Sequence, residues 1–156
     1  MTHEEYMQLA YDAAYEGMRN NCGGPFGAVI VLNDKVIGTG CNCVPSTNDP
    51  TAHAEVMAIR SACKTAGSFH IPDAILYTSC EPCPMCLAAI YWANIKQVYY
   101  GLTRADAERI DFDDKYIYDE VSKPLEGRDI IFRQINLASG PALFKEWTTK
   151  MDRVQY

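Results

Sequence analysis

The sequence has little that would carry it into or across a membrane. It shows no N-terminal apolar run with a basic flank, and no stretch approaches the roughly 20 apolar residues needed to span a bilayer. A cytoplasmic protein is expected, with no membrane partner. Positive charge is also short: 14 Lys and Arg stand against 20 Asp and Glu, a formal net charge of −6. Binding a polyphosphate backbone depends on Lys and Arg neutralising its phosphates, so no nucleic-acid partner is expected. No internal repeat, linker or low-complexity tract divides the 156 residues. One domain over 1–156 is expected, of a size that buries roughly two-thirds of its unfolded surface.

Cysteine, by contrast, is plentiful. The seven residues Cys22, Cys41, Cys43, Cys63, Cys80, Cys83 and Cys86 make an odd count in a chain without a secretion signal, which is a poor disulfide framework. Metal binding by some of them is the better reading, and Cys22, Cys41, Cys43 and Cys63 read as buried thiols. Acid is crowded between Asp106 and Glu120, a run that reads mostly as a solvated face.

Periodicity sketches the fold. Thr2 and Glu5 form a capping-box pattern, and Tyr6, Leu9, Ala10, Ala13 and Ala14 follow at helical spacing. Residues 26–32 read as a buried strand that turns at Asn33-Asp34 into a second strand over 35–42. A loop over 43–51 leads to a helix beginning near Ala52, a strand over 74–78, a helix opened by Pro82 and a strand at Val98-Tyr99-Tyr100. Short helices over 103–110 and 114–122, a strand over 130–136 and a last helix over 141–150 complete the reading. Helical crossovers make the later strands parallel. The sum is an α/β fold of three layers, α-β-α, with a mixed five-stranded sheet and helices on both faces.

The chemistry concentrates in His53-Ala54-Glu55 and Pro82-Cys83-Pro84-Met85-Cys86. Cys83 and Cys86, spaced i, i+3, share one helix face in a first turn where the dipole favours thiolates. Positions two apart do not share a face, but side chains tilt toward the helix N-terminus, so His53 and Glu55 can both point in front of their helix tip. Two such tips facing each other bring His53, Cys83 and Cys86 to one ion. Mixed N and S ligands argue for zinc over calcium or magnesium. Three protein ligands leave one position for water, as catalytic zinc sites do, and Glu55 remains as a spare carboxylate for proton transfer. A dithiol redox motif leaves His53 and Glu55 unexplained, and the Cys80, Cys83, Cys86 run lacks the C-x-x-x-C-P element of an iron–sulfur site. A closed structural site with Cys80 or His70 as fourth ligand leaves Glu55 without a task.

The pattern H-x-E…P-C-x-x-C is the signature of zinc nucleobase deaminases, and here the chain resembles the zinc-dependent cytidine-deaminase-like superfamily and, within it, the small bacterial guanine deaminases. The likeness is carried by Gly23-Gly24-Pro25-Phe26-Gly27-Ala28-Val29, the segments 48–55 and 76–86, Tyr91-Trp92-Ala93 and Phe112-Asp113-Asp114, together with the length and the closing Tyr156. The resemblance implies a cytidine-deaminase-like fold, one zinc ion per subunit and conversion of a purine base, guanine, to xanthine and ammonia. It implies that Asn42 hydrogen-bonds the purine, Phe26 packs on the base, and Asp114 reads the base and takes part in proton transfer. Asp113 is the neighbour with which Asp114 competes for that role. It further implies that a C-terminal segment of about 137–156 crosses to the partner of a homodimer, where Tyr156 helps close the pocket.

A guanosine deaminase shares similar motifs but must house a ribose. A tRNA adenosine deaminase resembles the chain from Asp49 through Cys86, against which the acidic balance and the Phe-Asp-Asp element speak. A zinc-stabilised binding domain without catalysis requires a closed site of four ligands. Replacing Glu55→Gln is expected to abolish ammonia release while zinc is retained. Near-normal turnover in that variant, in a continuous ammonia assay, would remove the proton-shuttle role from Glu55.

Overall fold

A computed structural model describes residues 1–156. Helix α1 (His3–Arg19) begins with the expected capping box, in which the Thr2 hydroxyl accepts from Glu5 N while Glu5 Oε2 accepts from Thr2 N. Strands β1 (Gly27–Leu32) and β2 (Lys35–Cys41) pair antiparallel around Asn33 and Asp34, whose φ angles of 50° and 60° suit a tight hairpin turn. Within the expected loop lies a single turn of helix, α2 (Val44–Thr47). Then come α3 (Ala54–Ala66), ended by Gly67 in the left-handed conformation, β3 (Ile75–Cys80), α4 (Pro84–Trp92) and β4 (Gln97–Leu102). The remainder forms α5 (Arg104–Glu108), α6 (Lys115–Ser122), a 3-10 turn over Leu125–Gly127 and α7 (Ser139–Thr149). No helix is long and apolar enough to cross a membrane.

The sheet runs β2-β1-β3-β4, with β1 antiparallel to both neighbours and β3 parallel to β4 across the α4 crossover. Alternation along the strands divides the core into two layers. Val29, Val31 and Tyr77 meet Tyr6 and Ala10 of α1 on one face, whereas Ala28, Ile30 and Leu76 meet α3 and α4 on the other. Ile30 and Leu76 are fully buried, and each side chain of that size contributes roughly 1.5–3 kcal/mol by leaving water.

Two readings need correction. The sheet has four strands, and residues 130–136 form none. Their isoleucines lie open to solvent, with Ile131 77% and Ile135 83% exposed. Strand propensity expresses itself through pairing and burial, and this segment has neither here. The helix carrying the cysteine pair starts two residues later than expected. Pro84 occupies its first turn and Cys83 is its cap, which suits a ring that has no N–H to give.

The seating of α3 positions everything that follows. Ala54, Ala58 and Ala62 recur every four residues and form a smooth stripe, all fully buried. Opposite them β2 presents glycine: a Cβ on Gly40 would lie 2.3 Å from the Ala54 carbonyl oxygen, and one on Gly38 2.5 Å from that of Ala58. Helix therefore rests on bare strand backbone, and the two run in opposite directions. One further two-residue step along β2, about 6.6 Å against about 5.4 Å per helical turn, carries Asn42 past the start of α3, to the space in front of its N-terminus.

Candidate active site

Two helix tips meet at the end of the sheet. His53 caps α3 and Cys83 caps α4, and neither side chain makes a capping hydrogen bond. Both are thus available to a third party. His53 Nδ1 lies 3.5 Å from Cys83 Sγ and 3.6 Å from Cys86 Sγ, and the three donor atoms all lie within 4.8 Å of one another. Zinc held tetrahedrally at its usual Zn–N and Zn–S lengths separates such donors by about 3.6 Å, so the spacing fits the ion. The Cys83 thiol is held well below its ordinary value, first by its hydrogen bond with Cys86 and then by His53, while the same pairing and burial push Cys86 up. One thiolate is thereby ready, and a cation at the centre favours the second.

No fourth protein ligand completes the set. The Cys80 sulfur turns away to the Thr103 carbonyl at 3.5 Å, and burial pushes its thiol up to about 11. His70 lies beyond the C-terminus of α3, a helix of 13 residues and so about 20 Å in length. The open geometry of a catalytic site remains, rather than a closed structural one.

Glu55, the second residue of α3, is 7% exposed and stands beside the ligands. Its Oε1 receives the Thr78 hydroxyl at 3.2 Å, and its Oε2 lies 3.4 Å from Cys86 Sγ. Burial raises its carboxyl above the ordinary range, the direction needed by a group that must hold a proton as well as release one.

Asn42 and Phe26 continue the β1–β2 ladder through the Asn42 N to Phe26 O hydrogen bond of 3.0 Å, so their side chains share the α3 face. Gly23 leaves room for Asn42, since a Cβ there would stand 2.2 Å from Asn42 Oδ1. Asn42 is 6% exposed, its Oδ1 accepts from Val44 N at 3.2 Å, and its Nδ2 donates to nothing in the chain. Phe26 meets Phe112 edge-on at 4.9 Å. The two aspartates separate cleanly. Asp113 is exposed and accepts from Lys115 N at 2.7 Å, whereas Asp114 is half-buried, its carboxyl raised by burial against the opposing pull of Arg104.

Three residues that have no role in the sequence reading hold this arrangement. Thr78 fixes Glu55. Tyr118 donates to the Pro82 carbonyl at 2.8 Å and so ties α6, with Asp114 at its start, to the residue preceding Cys83. Arg104 lies over the Tyr118 ring at 4.1 Å and 3.6 Å from Glu81 Oε1. Tyr156 is not brought to the site of its own chain; its ring sits 6.2 Å from Phe69 and from Trp92, at the far end of α4. Cys22, Cys41, Cys43 and Cys63 are half-buried, not buried as expected.

Residues 1–102 match the cytidine and deoxycytidylate deaminase zinc-binding region. The chain belongs to this deaminase family. A guanine deaminase of Bacillus subtilis is 49% identical over 156 residues, the whole of both chains. The crystal structure of the Bacillus subtilis guanine deaminase superimposes with a TM-score of 0.97 over 100% of this chain and 99% of that one. Within the same family, a tRNA-specific adenosine deaminase of Agrobacterium fabrum is 45% identical over 97 residues, 62% of each chain. A guanine deaminase of Nitrosomonas europaea is 26% identical, with a TM-score of 0.68 over 72% of this chain and 65% of its own. Family membership makes zinc the ion for the His53, Cys83, Cys86 set.

Zinc favours the folded site, where its donors are already gathered, over the unfolded chain, so at about 100 times its dissociation constant it contributes up to about 2.7 kcal/mol to stability. Chelation is expected to lower the thermal midpoint, and zinc to restore it. Protons compete with zinc for His53 and both sulfurs. Zinc affinity therefore falls as pH falls, and competition with a chromophoric chelator across pH 5–8 measures that slope. A pH-independent affinity would place the ion elsewhere.

Proposed function

We propose that this chain deaminates guanine hydrolytically to xanthine and ammonia, with the pocket of each subunit closed by the tail of its partner. One observation carries the reaction: the likeness to the guanine deaminase of Bacillus subtilis runs through the last residue, whereas the likeness to the tRNA-specific adenosine deaminase of Agrobacterium fabrum covers only 97 residues. The extent of the likeness, the whole chain against 97 residues, separates the two.

His53, Cys83 and Cys86 would hold zinc, which would supply a Lewis acid able to acidify a bound water. Glu55 would carry one proton from the attacking water to the ring nitrogen beside C2, and then a second, from the new C2 hydroxyl, to the amino group as the C2–N bond breaks. Burial raises its carboxyl, the direction that helps it hold a proton between the two transfers. Asn42 Nδ2, unused within the chain, donates to an acceptor on the purine. Asp114 accepts from the N–H edge of the base, which an ionised carboxylate does and a protonated one does only in part. Phe26 packs on the ring face. Water and guanine enter and xanthine and ammonia leave, so no redox partner is needed.

The dimer reading rests on the uncovered tail. Ile131, Ile135 and Phe144 are at least three-quarters exposed in the single chain, and Tyr156 lies away from its own zinc ligands. A single folded unit over 1–156 that exchanges about 137–156 with a second copy covers these side chains and delivers Tyr156 to the partner's pocket. Seven free thiols fit the reducing cytoplasm.

Zinc-loaded protein is expected to release ammonia from guanine and not from guanosine, adenine, cytosine or cytidine. Ammonia from guanosine alone would overturn the assignment. For the tail, Glu55→Gln chains with intact tails are mixed and refolded with chains lacking residues 150–156. Exchange predicts activity in the mixture well above either parent, because the intact Glu55 site then receives a tail. No rescue would mean that each tail serves its own chain.

A further inference from the structure

A second set of metal-type donors lies outside the deaminase motifs. The sulfurs of Cys22, Cys41 and Cys43 lie within 4.8 Å of one another, and Cys41 Sγ is 3.7 Å from Cys43 Sγ. Tetrahedral zinc with Zn–S bonds of about 2.3 Å separates two sulfurs by about 3.8 Å. The three come from separate places: the turn after α1, the last residue of β2 and the cap of α2. The backbone holds them there. Cys22 N donates to Gly17 O at 2.9 Å, Ser46 N to Cys22 O at 3.3 Å, and Cys43 N to Ala52 O at 2.9 Å. Gly17 makes the approach of Cys41 feasible, since a Cβ at that position would lie 2.6 Å from Cys41 Cβ.

We infer that Cys22, Cys41 and Cys43 form a second metal site, which takes a soft, thiophilic cation and lies next to the base-reading Asn42. Three sulfurs without a carboxylate select zinc, cadmium or cuprous ions over magnesium or calcium. All three residues are half-exposed, so an ion reaches them from solvent. Asn42 stands between two of the donors, with its Oδ1 bound to Val44 N. An ion held by Cys41 and Cys43 therefore bears on the backbone at both sides of the residue proposed to read the base.

The test uses cadmium on the zinc-loaded full chain under a non-thiol reductant, with both metals counted by mass spectrometry after desalting. About one cadmium per chain is expected beside about one zinc, with a thiolate-to-cadmium band in the near ultraviolet. Cys22→Ser and Cys43→Ser, made separately, should each lose the cadmium and keep the zinc, and the retained zinc shows that the variants fold. No retained cadmium, cadmium that merely replaces zinc, or undiminished cadmium in both variants overturns the site. The effect on Asn42 rests on the proposed guanine reaction and is read separately. Cadmium should raise KM for guanine at least about fivefold, the low end of coupling between sites, with kcat little changed and Cys22→Ser insensitive. An unchanged KM with cadmium retained overturns the coupling to Asn42. Absence of guanine turnover without cadmium refutes the reaction and leaves the metal count to decide the site.

Discussion

Helix α3 rests on the backbone of β2, with nothing larger than a hydrogen atom on Gly38 and Gly40 between them. That contact leaves the helix one depth and one height. A side chain at either glycine would have to displace main-chain atoms, and close-packed interiors resist such movement. His53, Glu55 and Asn42 therefore take their positions from a contact that contains none of them. The register of β1 with β2 adds Phe26, and the register of β1 with β3 sets Thr78 beside Ala28, within reach of Glu55.

At the end of the sheet, geometry becomes electrostatics. Two helix N-termini face one point, and their unpaired N–H groups and dipoles favour negative charge there. The sulfurs of Cys83 and Cys86 meet that demand and turn it toward a cation. Glu55 sits on the same tip yet stays apart from the ligands, because Thr78 holds one of its oxygens. A neutral imidazole, two thiolates and a divalent ion sum to zero charge, so the buried carboxylate beside them meets no net repulsion from the centre.

Features of this fold that depend on neighbours in sequence were legible without coordinates: the capping box at Thr2, the turn at Asn33-Asp34, and the spacing of His53 to Glu55 and of Cys83 to Cys86. Features that depend on distant register were not. Nothing local marks Thr78 as the partner of Glu55, or Tyr118 as the strut between α6 and Pro82, since each joins segments more than twenty residues apart. Residues 130–136 carry a strand-like pattern, but a pattern cannot supply the neighbouring backbone that makes a strand. Pro82 and Pro84 suit a helix start equally well by composition, and only the path of the chain from Cys80 selects the second. Cys41 and Cys43 are plainly paired in sequence, whereas their convergence with Cys22 arises from the packing of α1 on the sheet.

The Thr78 hydroxyl owns one hydrogen and faces two acceptors, Glu55 Oε1 at 3.2 Å and Cys80 O at 3.1 Å. While Glu55 is ionised, the hydrogen belongs with the carboxylate. Once Glu55 gains a proton, its own O–H can donate to Thr78, and the hydroxyl rotates to the Cys80 carbonyl. Neither state strands a buried polar atom, a fault that would cost about 1–3 kcal/mol. A single rotating bond thus keeps the Thr78 hydroxyl hydrogen-bonded whether the carboxylate beside it is charged or neutral.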